Sequence, residues 1–273
     1  MKLSCLPVSF FDDITSGKMS VAEWARMGAG LKLDAVDLSI LFLPERSVKA
    51  AETIRSQVEA EGISITMLTT YPDFTHPDPA QRKKELELEI EAVHLAKSLG
   101  AQFIRVTAGQ AHPETSIKDG IVWASEGLSC LVEAAGNLGV RLAYENHAKP
   151  GAWEYTDFSQ PPEIFLEILS RVNSPFLGVN FDTGNATAFA ADPLAFLGQI
   201  VGRVGSVHAS DTSERGRLKH VLLGSGVTPF QALFCGLKSN GWNGWICMEE
   251  ASGLGRPGVE AAANTIRRIW AES

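Results

Sequence analysis

The sequence predicts a single (β/α)8 barrel. Short apolar segments with the length of buried strands alternate with longer helical patterns along the whole chain, which is typical of a parallel sheet built from βα units. Eight such strands can be recognised, and 273 residues suit one undivided barrel. The predicted strands are Leu3–Phe10, Ala35–Ile40, Ser64–Thr69, Phe103–Thr107, Arg141–Glu145, Leu177–Phe181, Gly205–His208 and Trp245–Glu249.

The alternative architecture for this alternation is a doubly wound open sheet. Such a sheet of the dinucleotide-binding kind carries a GxGxxG turn after an early strand, and neither of the first two predicted strands is followed by one. No linker, low-complexity tract or charge block divides the chain. We therefore expect one barrel domain over residues 1–273.

Several predicted strands are followed by clear helix start signals. Ser20 begins a helical pattern with Glu23 three residues later, which is the spacing of a capping box. Asp192–Pro193 and Thr228–Pro229 each place a proline at the favoured first helical position. A long and strongly charged helix is predicted over Pro79–Leu99. These signals support the βα repeat.

Charge, hydropathy and cysteine content exclude several classes of protein. Acidic residues outnumber basic ones by 32 to 24 and no basic run appears, so no nucleic-acid partner is expected. No apolar run approaches the roughly 18 residues that a membrane span needs, and the N-terminal segment lacks the apolar core of a signal peptide. Four scattered cysteines predict reduced thiols, so we expect a cytoplasmic protein without a membrane partner.

The fifth to eighth predicted strands each end in a residue that can bind a metal ion. In a barrel, functional side chains lie at the carboxyl ends of the strands. An apolar interior does not accept three carboxylates unless a positive charge compensates them. Any single one of these residues could be a helix cap or a loop hydrogen-bond partner, but the set predicts a site for a divalent cation. The residues are Glu145, Asp182, His208 and Glu249.

The motifs around these residues resemble the xylose isomerase-like TIM barrels, a family of sugar isomerases and epimerases that includes tagatose epimerase and hydroxypyruvate isomerase. The resemblance runs through most of the chain and implies that Glu145, Asp182, His208 and Glu249 bind one ion, with manganese expected first and magnesium, cobalt or zinc as alternatives. Glu249 rather than Glu250 fits the alternation of side chains along the last strand. The motifs are ENH at 145–147, DTGN at 182–185, HASD at 208–211, LGSG at 223–226 and GWNGWICMEE at 241–250.

The resemblance also implies a reaction. Glu145 and Glu249 would be the catalytic pair that removes and returns the proton beside the carbonyl of a sugar-like hydroxy-ketone. The metal would act as a Lewis acid and stabilise the enediolate. The expected partner is a small sugar-like substrate, and a homodimer is the expected assembly.

Further residues near the strand ends are expected to contact the substrate. Asn185 stands where the ketose epimerases carry a histidine (DxxH), and an amide can bind a hydroxyl but cannot take up a proton at neutral pH. Asp211 could equally orient His208 or cap a helix, and Arg215 could equally be solvated surface. Asp37 is expected to end the second strand, where the resemblance implies an acidic residue near the substrate, and it could equally be a loop-facing carboxylate. The predicted substrate-binding residues are His147, Asn185, Asp211, Arg215 and His220.

Two other functions stay open at this point. A dehydratase of the dehydroshikimate or inosose type begins with the same proton removal and then expels a β-hydroxyl group, and the presence of Asn185 does not exclude it. A non-catalytic sugar-binding barrel would bind sugars without any metal. The leading prediction is a metal-dependent isomerase or epimerase.

Overall fold

The barrel is confirmed by a computed structural model that describes residues 1–149 and 151–273. The strands are β1 (Lys2–Leu6), β2 (Ala35–Ser39), β3 (Ser64–Thr69), β4 (Phe103–Val106), β5 (Arg141–Glu145), β6 (Leu177–Asp182), β7 (Val204–Ala209) and β8 (Trp245–Glu249). All eight are parallel and lie in the order β1-β8-β7-β6-β5-β4-β3-β2. β1 and β2 adjoin through Asp34, whose N–H donates to the Leu3 carbonyl at 2.8 Å while its carboxylate accepts from the Leu3 N–H at 2.7 Å.

The helices surround this sheet and begin largely where the sequence signals predict. Ser20 and Glu23 form the capping box, and the long charged helix spans Pro79–Leu99 as predicted. Asp192 caps its helix with Pro193 in first position, whereas Pro229 precedes its helix instead of starting it. The helices are α1 (Phe11–Thr15), α2 (Val21–Gly30), α3 (Val48–Ala60), α4 (Pro79–Leu99), α5 (Ile117–Leu138), α6 (Pro162–Arg171), α7 (Thr183–Phe189), α8 (Pro193–Ile200), α9 (Phe230–Ser239) and α10 (Arg256–Glu272).

The first predicted strand is too long. β1 ends at Leu6, and Val8–Phe10 form a turn of 3₁₀ helix that leads into α1. Pro7, at φ −80° and ψ 66°, leaves the strand conformation and has no N–H to donate to a neighbouring strand. The chain therefore turns over the carboxyl end of the barrel, where its apolar side chains come to line a pocket.

The inside of the barrel divides into an apolar and a polar part. A small cluster of buried apolar side chains, separate from the main core between sheet and helices, fills the first part: Ala35, Met67, Phe103, Ala143 and Trp245. Beyond it the inward-facing residues are polar, as in Ser206, whose hydroxyl donates to the Asn180 amide oxygen at 2.7 Å. The polar part ends in the strand-end residues predicted to bind metal.

Two further expectations from the sequence concern membrane-spanning helices and the state of the cysteines. Among the described residues, no helix combines the length and the apolar character that a bilayer crossing demands. The cysteines are free thiols, with Cys5 and Cys247 buried.

Candidate metal centre

The side chains of Glu145, Asp182, His208 and Glu249 meet at the carboxyl end of the barrel. One ligand atom from each lies within 4.8 Å of the ligand atoms of the other three. Alternation along each strand turns the four inward, and the parallel strands all end at this side of the barrel, where Asp182 and His208 are direct register partners. The sequence predicted all four, and the structure brings them together.

Several atoms of this cluster are buried and have no hydrogen-bond partner. They are both carboxylate oxygens of Glu145, Oδ2 of Asp182 and Nδ1 of His208. His208 Nδ1 lies 3.3 Å from Glu145 Oε1 and 3.1 Å from Glu249 Oε1, without the alignment of a hydrogen bond. Buried polar atoms without partners are rare and destabilising. Because these orphaned atoms are oxygen and imidazole donors facing one centre, they fit a divalent cation.

Asp182 is held so that one of its oxygens stays available. Its Oδ1 accepts from the Asn185 N–H at 2.6 Å and from the Ser210 hydroxyl at 2.8 Å, as the N-cap of α7. Asn146 ties the ends of β5 and β6 together, since it donates to the Asp182 carbonyl and accepts from the Asp182 N–H. These bonds fix the carboxylate and leave Oδ2 facing the centre.

His208 is oriented by its other ring nitrogen, Nε2, which lies 3.3 Å from the sulfur of Met67. This contact leaves Nδ1 on the side of the carboxylates. Burial acts to lower the pKa of His208, but the negative charge of Glu145 and further groups around the ring raise it well above the usual value. In the metal-free state the imidazole therefore carries a proton that a bound cation must displace.

The carboxylates are strongly coupled to their surroundings. Burial acts to raise the pKa of Glu145, but the positive charges of Arg105 and His208 outweigh it and lower the pKa. Glu249 is shifted in the same direction, because the positive charge of the nearby His208 overcomes burial and lowers its pKa. Burial raises the pKa of Asp182 well above the usual range, and the charges of Glu249 and Glu145 add to this. The negative charges of the three carboxylates thus repel one another, and nearby positive charge stabilises their ionised forms.

Arg105 belongs to the centre and was missed in the sequence. It lies in β4, is 1% exposed, and its Nε is 2.9 Å from Glu145 Oε2, an ion pair whose N–H does not point directly at the oxygen. Its guanidinium donates to the Thr70 carbonyl at 3.0 Å and lies 4.6 Å from the ring centre of Tyr71. The available signal was an arginine inside the apolar strand Phe103–Val106, at a position that alternation turns inward.

Arg105 also sets the charge that the centre requires. A metal ion binds carboxylates in their ionised form and imidazole in its neutral form. In that protonation state three carboxylates face one guanidinium, which leaves two negative charges. A divalent cation balances that remainder. The composition of the cluster therefore matches an ion of charge +2.

A pocket opens above the cluster. It has a volume of about 490 Å³, in the range of small-molecule sites. Glu249, whose side chain is 13% exposed, and Arg105 form its floor, while α1 and the loops after β1, β2, β3 and β5 form its walls. The lining residues are Leu6, Val8, Phe11, Asp12, Leu41, Tyr71, Arg105, His147, Gly151, Ala152 and Glu249. A substrate in this pocket would meet Glu249 directly.

His147 and Asn185 lie beside the centre. His147 lines the pocket, and burial lowers its pKa to about 4, so that the ring is neutral at pH 7. Its Nδ1 and the Asn185 side-chain oxygen are buried and unpartnered, and both residues border a cavity of about 10 Å³. His147 lines the pocket and can contact a bound molecule, whereas Asn185 does not line the pocket.

The other three predicted substrate-binding residues, Asp211, Arg215 and His220, lie in the loop after β7, and each has different surroundings. Both oxygens of Asp211 accept from backbone amides of this loop, which leaves them nothing to offer His208 or a substrate. Arg215 is exposed and donates to the carbonyls of Ala190 and Ala191, so it fastens the loop to the end of α7. His220 is exposed, and its charge contributes to lowering the pKa of Glu249.

Asp37 lies deeper than expected. It is the middle residue of β2 and not the last, and it accepts from the Ser4 hydroxyl at 2.5 Å inside the barrel. Burial raises its pKa. The register of Ser4 opposite Cys247 places this pair below Glu249, so Asp37 does not line the pocket.

The family model described as xylose isomerase-like TIM barrel matches residues 25–269. The chain belongs to this family. An L-ribulose-5-phosphate 3-epimerase, UlaE, from Salmonella paratyphi C is 26% identical over 254 residues, which cover 89% of this chain and 87% of the relative. Relatives of this kind confirm the expectation of an enzyme.

Two solved structures illustrate the shared fold. A D-tagatose 3-epimerase-like protein superposes with a TM-score of 0.79 at 21% identity and covers 100% of this chain and 99% of its own. The IolI protein, solved with a bound zinc atom, superposes with a TM-score of 0.82 at 17% identity and covers 100% of this chain and 99% of its own. At these identities the likeness shows the shared fold.

Proposed function

We propose that this protein is a metal-dependent isomerase or epimerase of a sugar or related small hydroxy-ketone. The observation that carries the proposal is the convergence of Glu145, Asp182, His208 and Glu249 with buried, unpartnered ligand atoms below an open pocket. The epimerase relative and the zinc atom in the IolI protein support it.

The four residues would hold one divalent ion. When bound, such an ion acts as a Lewis acid that polarises the carbonyl of a hydroxy-ketone and acidifies the neighbouring C–H. Manganese is our first choice, because three carboxylates make the donor set rich in oxygen, and magnesium, cobalt and zinc remain alternatives. The zinc in a protein of the same fold makes zinc the first alternative to test.

Glu145 and Glu249 would carry the proton. Both are anionic at neutral pH because their pKa values are lowered, and they approach the centre from β5 and β8. Glu249 faces the pocket, so its carboxylate can accept a proton from the carbon beside the carbonyl. Arg105 positions Glu145 through their ion pair.

The test is α-proton exchange in deuterated water, followed by NMR across a panel of ketoses and keto acids with manganese-loaded protein. We expect exchange by the wild type and its loss in Glu145→Gln and Glu249→Gln. Glu250→Gln is the matched control, since Glu250 is the neighbouring carboxylate but bonds to Ser9 and to the Ser252 N–H outside the pocket. Exchange that persists in both of the first two variants contradicts the proposal.

The same panel separates the isomerase from a dehydratase. Dehydration yields a conjugated enone or diene that absorbs in the ultraviolet, whereas epimerisation leaves the spectrum unchanged. Appearance of that absorbance together with exchange would assign a lyase to the same centre. Sugar binding that is unchanged by a chelator, without any exchange, would instead assign a non-catalytic barrel.

A further inference from the structure

We infer that the substrate of this pocket is an uncharged, unphosphorylated hydroxy-ketone and not a sugar phosphate. The inference rests on the proposed function, because it takes the pocket above the metal centre as the substrate site. It departs from the activity named for the UlaE relative, an L-ribulose-5-phosphate 3-epimerase, which acts on a phosphorylated sugar. Three features of the described residues carry it.

The first feature is the loop after β7, which in many barrels binds phosphate together with the loop after β8. Here the loop closes around the carboxylate of Asp211, which is 1% exposed. The amide donors lie 2.9–3.1 Å from its oxygens and belong to Thr212, Gly224, Gly226 and Thr228. These four amide donors of the loop are thus bound to a side chain of the protein and are not free for a phosphate.

Gly226 shows how tightly this cradle is built. A Cβ atom at this position would overlap the Asp211 carboxylate and the Thr212 carbonyl. The glycine lets the backbone come close enough for its amide to bind the carboxylate. The amides of the LGSG motif therefore bind a carboxylate of the protein itself.

The second feature is the loop after β8, where Glu250 plays the same part. Glu250 is fully buried, and its oxygens accept from the Ser252 N–H at 2.9 Å and from the Ser9 hydroxyl at 2.5 Å. The Gly253 N–H in turn donates to the Ser9 hydroxyl at 3.0 Å. The Ser252 and Gly253 amides of this loop are thus also bound to groups of the chain itself.

The third feature is the pocket wall. Its apolar part consists of Leu6, Val8, Phe11, Leu41 and Ala152, which suit the C–H face of a neutral sugar. Of the described residues that line the pocket, one is an arginine, Arg105, and it already lies 2.9 Å from Glu145. Asp12 adds a negative charge at the rim. Among the described residues that line the pocket, a phosphate dianion would meet no cation other than Arg105, which already pairs with Glu145, and this disfavours its burial.

The test compares matched neutral and phosphorylated ketoses on the manganese-loaded protein. The pairs are ribulose with ribulose 5-phosphate, xylulose with xylulose 5-phosphate and fructose with fructose 6-phosphate. The readout is kcat/KM for α-proton exchange in deuterated water. We expect the neutral member of the best pair to exceed its phosphate by about tenfold or more. Preference for a phosphate overturns this inference and leaves the proposed function standing.

Absence of exchange with every pair counts against the proposed function, and binding then decides the substrate class. The same pairs are compared by ligand-observed NMR with the manganese-free protein, since manganese broadens these signals. Tighter binding of the neutral members supports the inference, while tighter binding of the phosphates, or binding of neither, overturns it.

A second arm probes the cradle with inorganic phosphate alone. Asp211→Ala empties the amide cradle, so phosphate should raise the melting temperature of this variant and leave the wild type unchanged. An equal rise in the wild type would show that an anion site is already open and would overturn the inference. If Asp211→Ala does not fold, the wild-type measurement still decides, because it alone tests for an open site.

Discussion

The sharpest consequence of the metal centre is a change in how one aspartate variant responds to metal. Asp182 and Asp192 are both N-cap residues whose Oδ1 accepts backbone N–H groups at the start of a helix. Replacing either by asparagine keeps a capping oxygen, because asparagine is as good an N-cap as aspartate. Only Asp182 has a second oxygen that is buried and unpartnered at the centre. Asp182→Asn and Asp192→Asn are therefore a matched pair.

The expected magnitude follows from linkage between binding and folding. A ligand at 100 times its dissociation constant stabilises the native state by about 2.7 kcal/mol, which corresponds to a rise in Tm of roughly 5–10 °C for a domain of this size. Manganese should produce this rise in the wild type and in Asp192→Asn. In Asp182→Asn the rise should be lost. Without metal, Asp182→Asn should melt no lower than the wild type, because the variant relieves the crowding that raises the pKa of Asp182.

The assay is thermal unfolding by circular dichroism, with chelator and with each of manganese, magnesium, cobalt and zinc. Isothermal titration calorimetry with the same ions gives the stoichiometry, which should be one ion per chain. Two results would refute the reasoning: a folded wild type that responds to none of the four ions, or a full rise in Tm retained by Asp182→Asn. A lost response in Asp192→Asn would trace the effect to helix capping.

Two further predictions concern buried charges. Arg105→Met removes the ion-pair partner of Glu145, and breaking a buried ion pair costs about 3–5 kcal/mol. The free energy of unfolding, measured with urea in the presence of chelator, should fall by this amount in Arg105→Met. Manganese should partly restore it, and Arg105→Lys should largely keep the wild-type value. Unchanged stability of Arg105→Met would show that the pair contributes nothing. Burial raises the pKa of Glu89 to about 7, so the folded state gains a proton relative to the unfolded chain and stability falls as pH rises from about 4.5 to 7. Glu89→Gln should reduce this fall by about 3 kcal/mol between pH 5 and pH 8, and an identical pH profile in urea unfolding would contradict the assignment.

Both the fold and the four metal-facing residues could be predicted from the sequence, because both depend on local patterns. Strand alternation and the βα repeat are local patterns, and in a barrel they are enough to decide which side chains face inward and at which end. Where the local pattern was misleading, a single residue was responsible, as with Pro7, which ends β1 before the apolar segment does.

Arg105 could not be assigned in this way. Its role depends on Glu145, which follows it by 40 positions and meets it only because β4 and β5 are neighbours. An arginine inside an apolar strand was visible, but its partner was not. The contact becomes predictable only when the strand register is known, since the register determines which inward residues share a level.

Asp211 and Glu250 explain why strand-end acids cannot be sorted by position alone. Like Glu145 and Asp182, they stand at or just beyond the end of a strand and are buried. The difference lies in what their oxygens meet. Loop amides and hydroxyl groups bind the oxygens of Asp211 and Glu250, whereas Glu145 and Asp182 keep buried oxygens without a donor. A carboxylate surrounded by donors is a structural anion, and one without donors needs a cation. Several of the donors are distant in the sequence, such as the Gly226 N–H, which lies 15 positions from Asp211, and the Ser9 hydroxyl, which lies 241 positions from Glu250. No local pattern can therefore separate the two kinds.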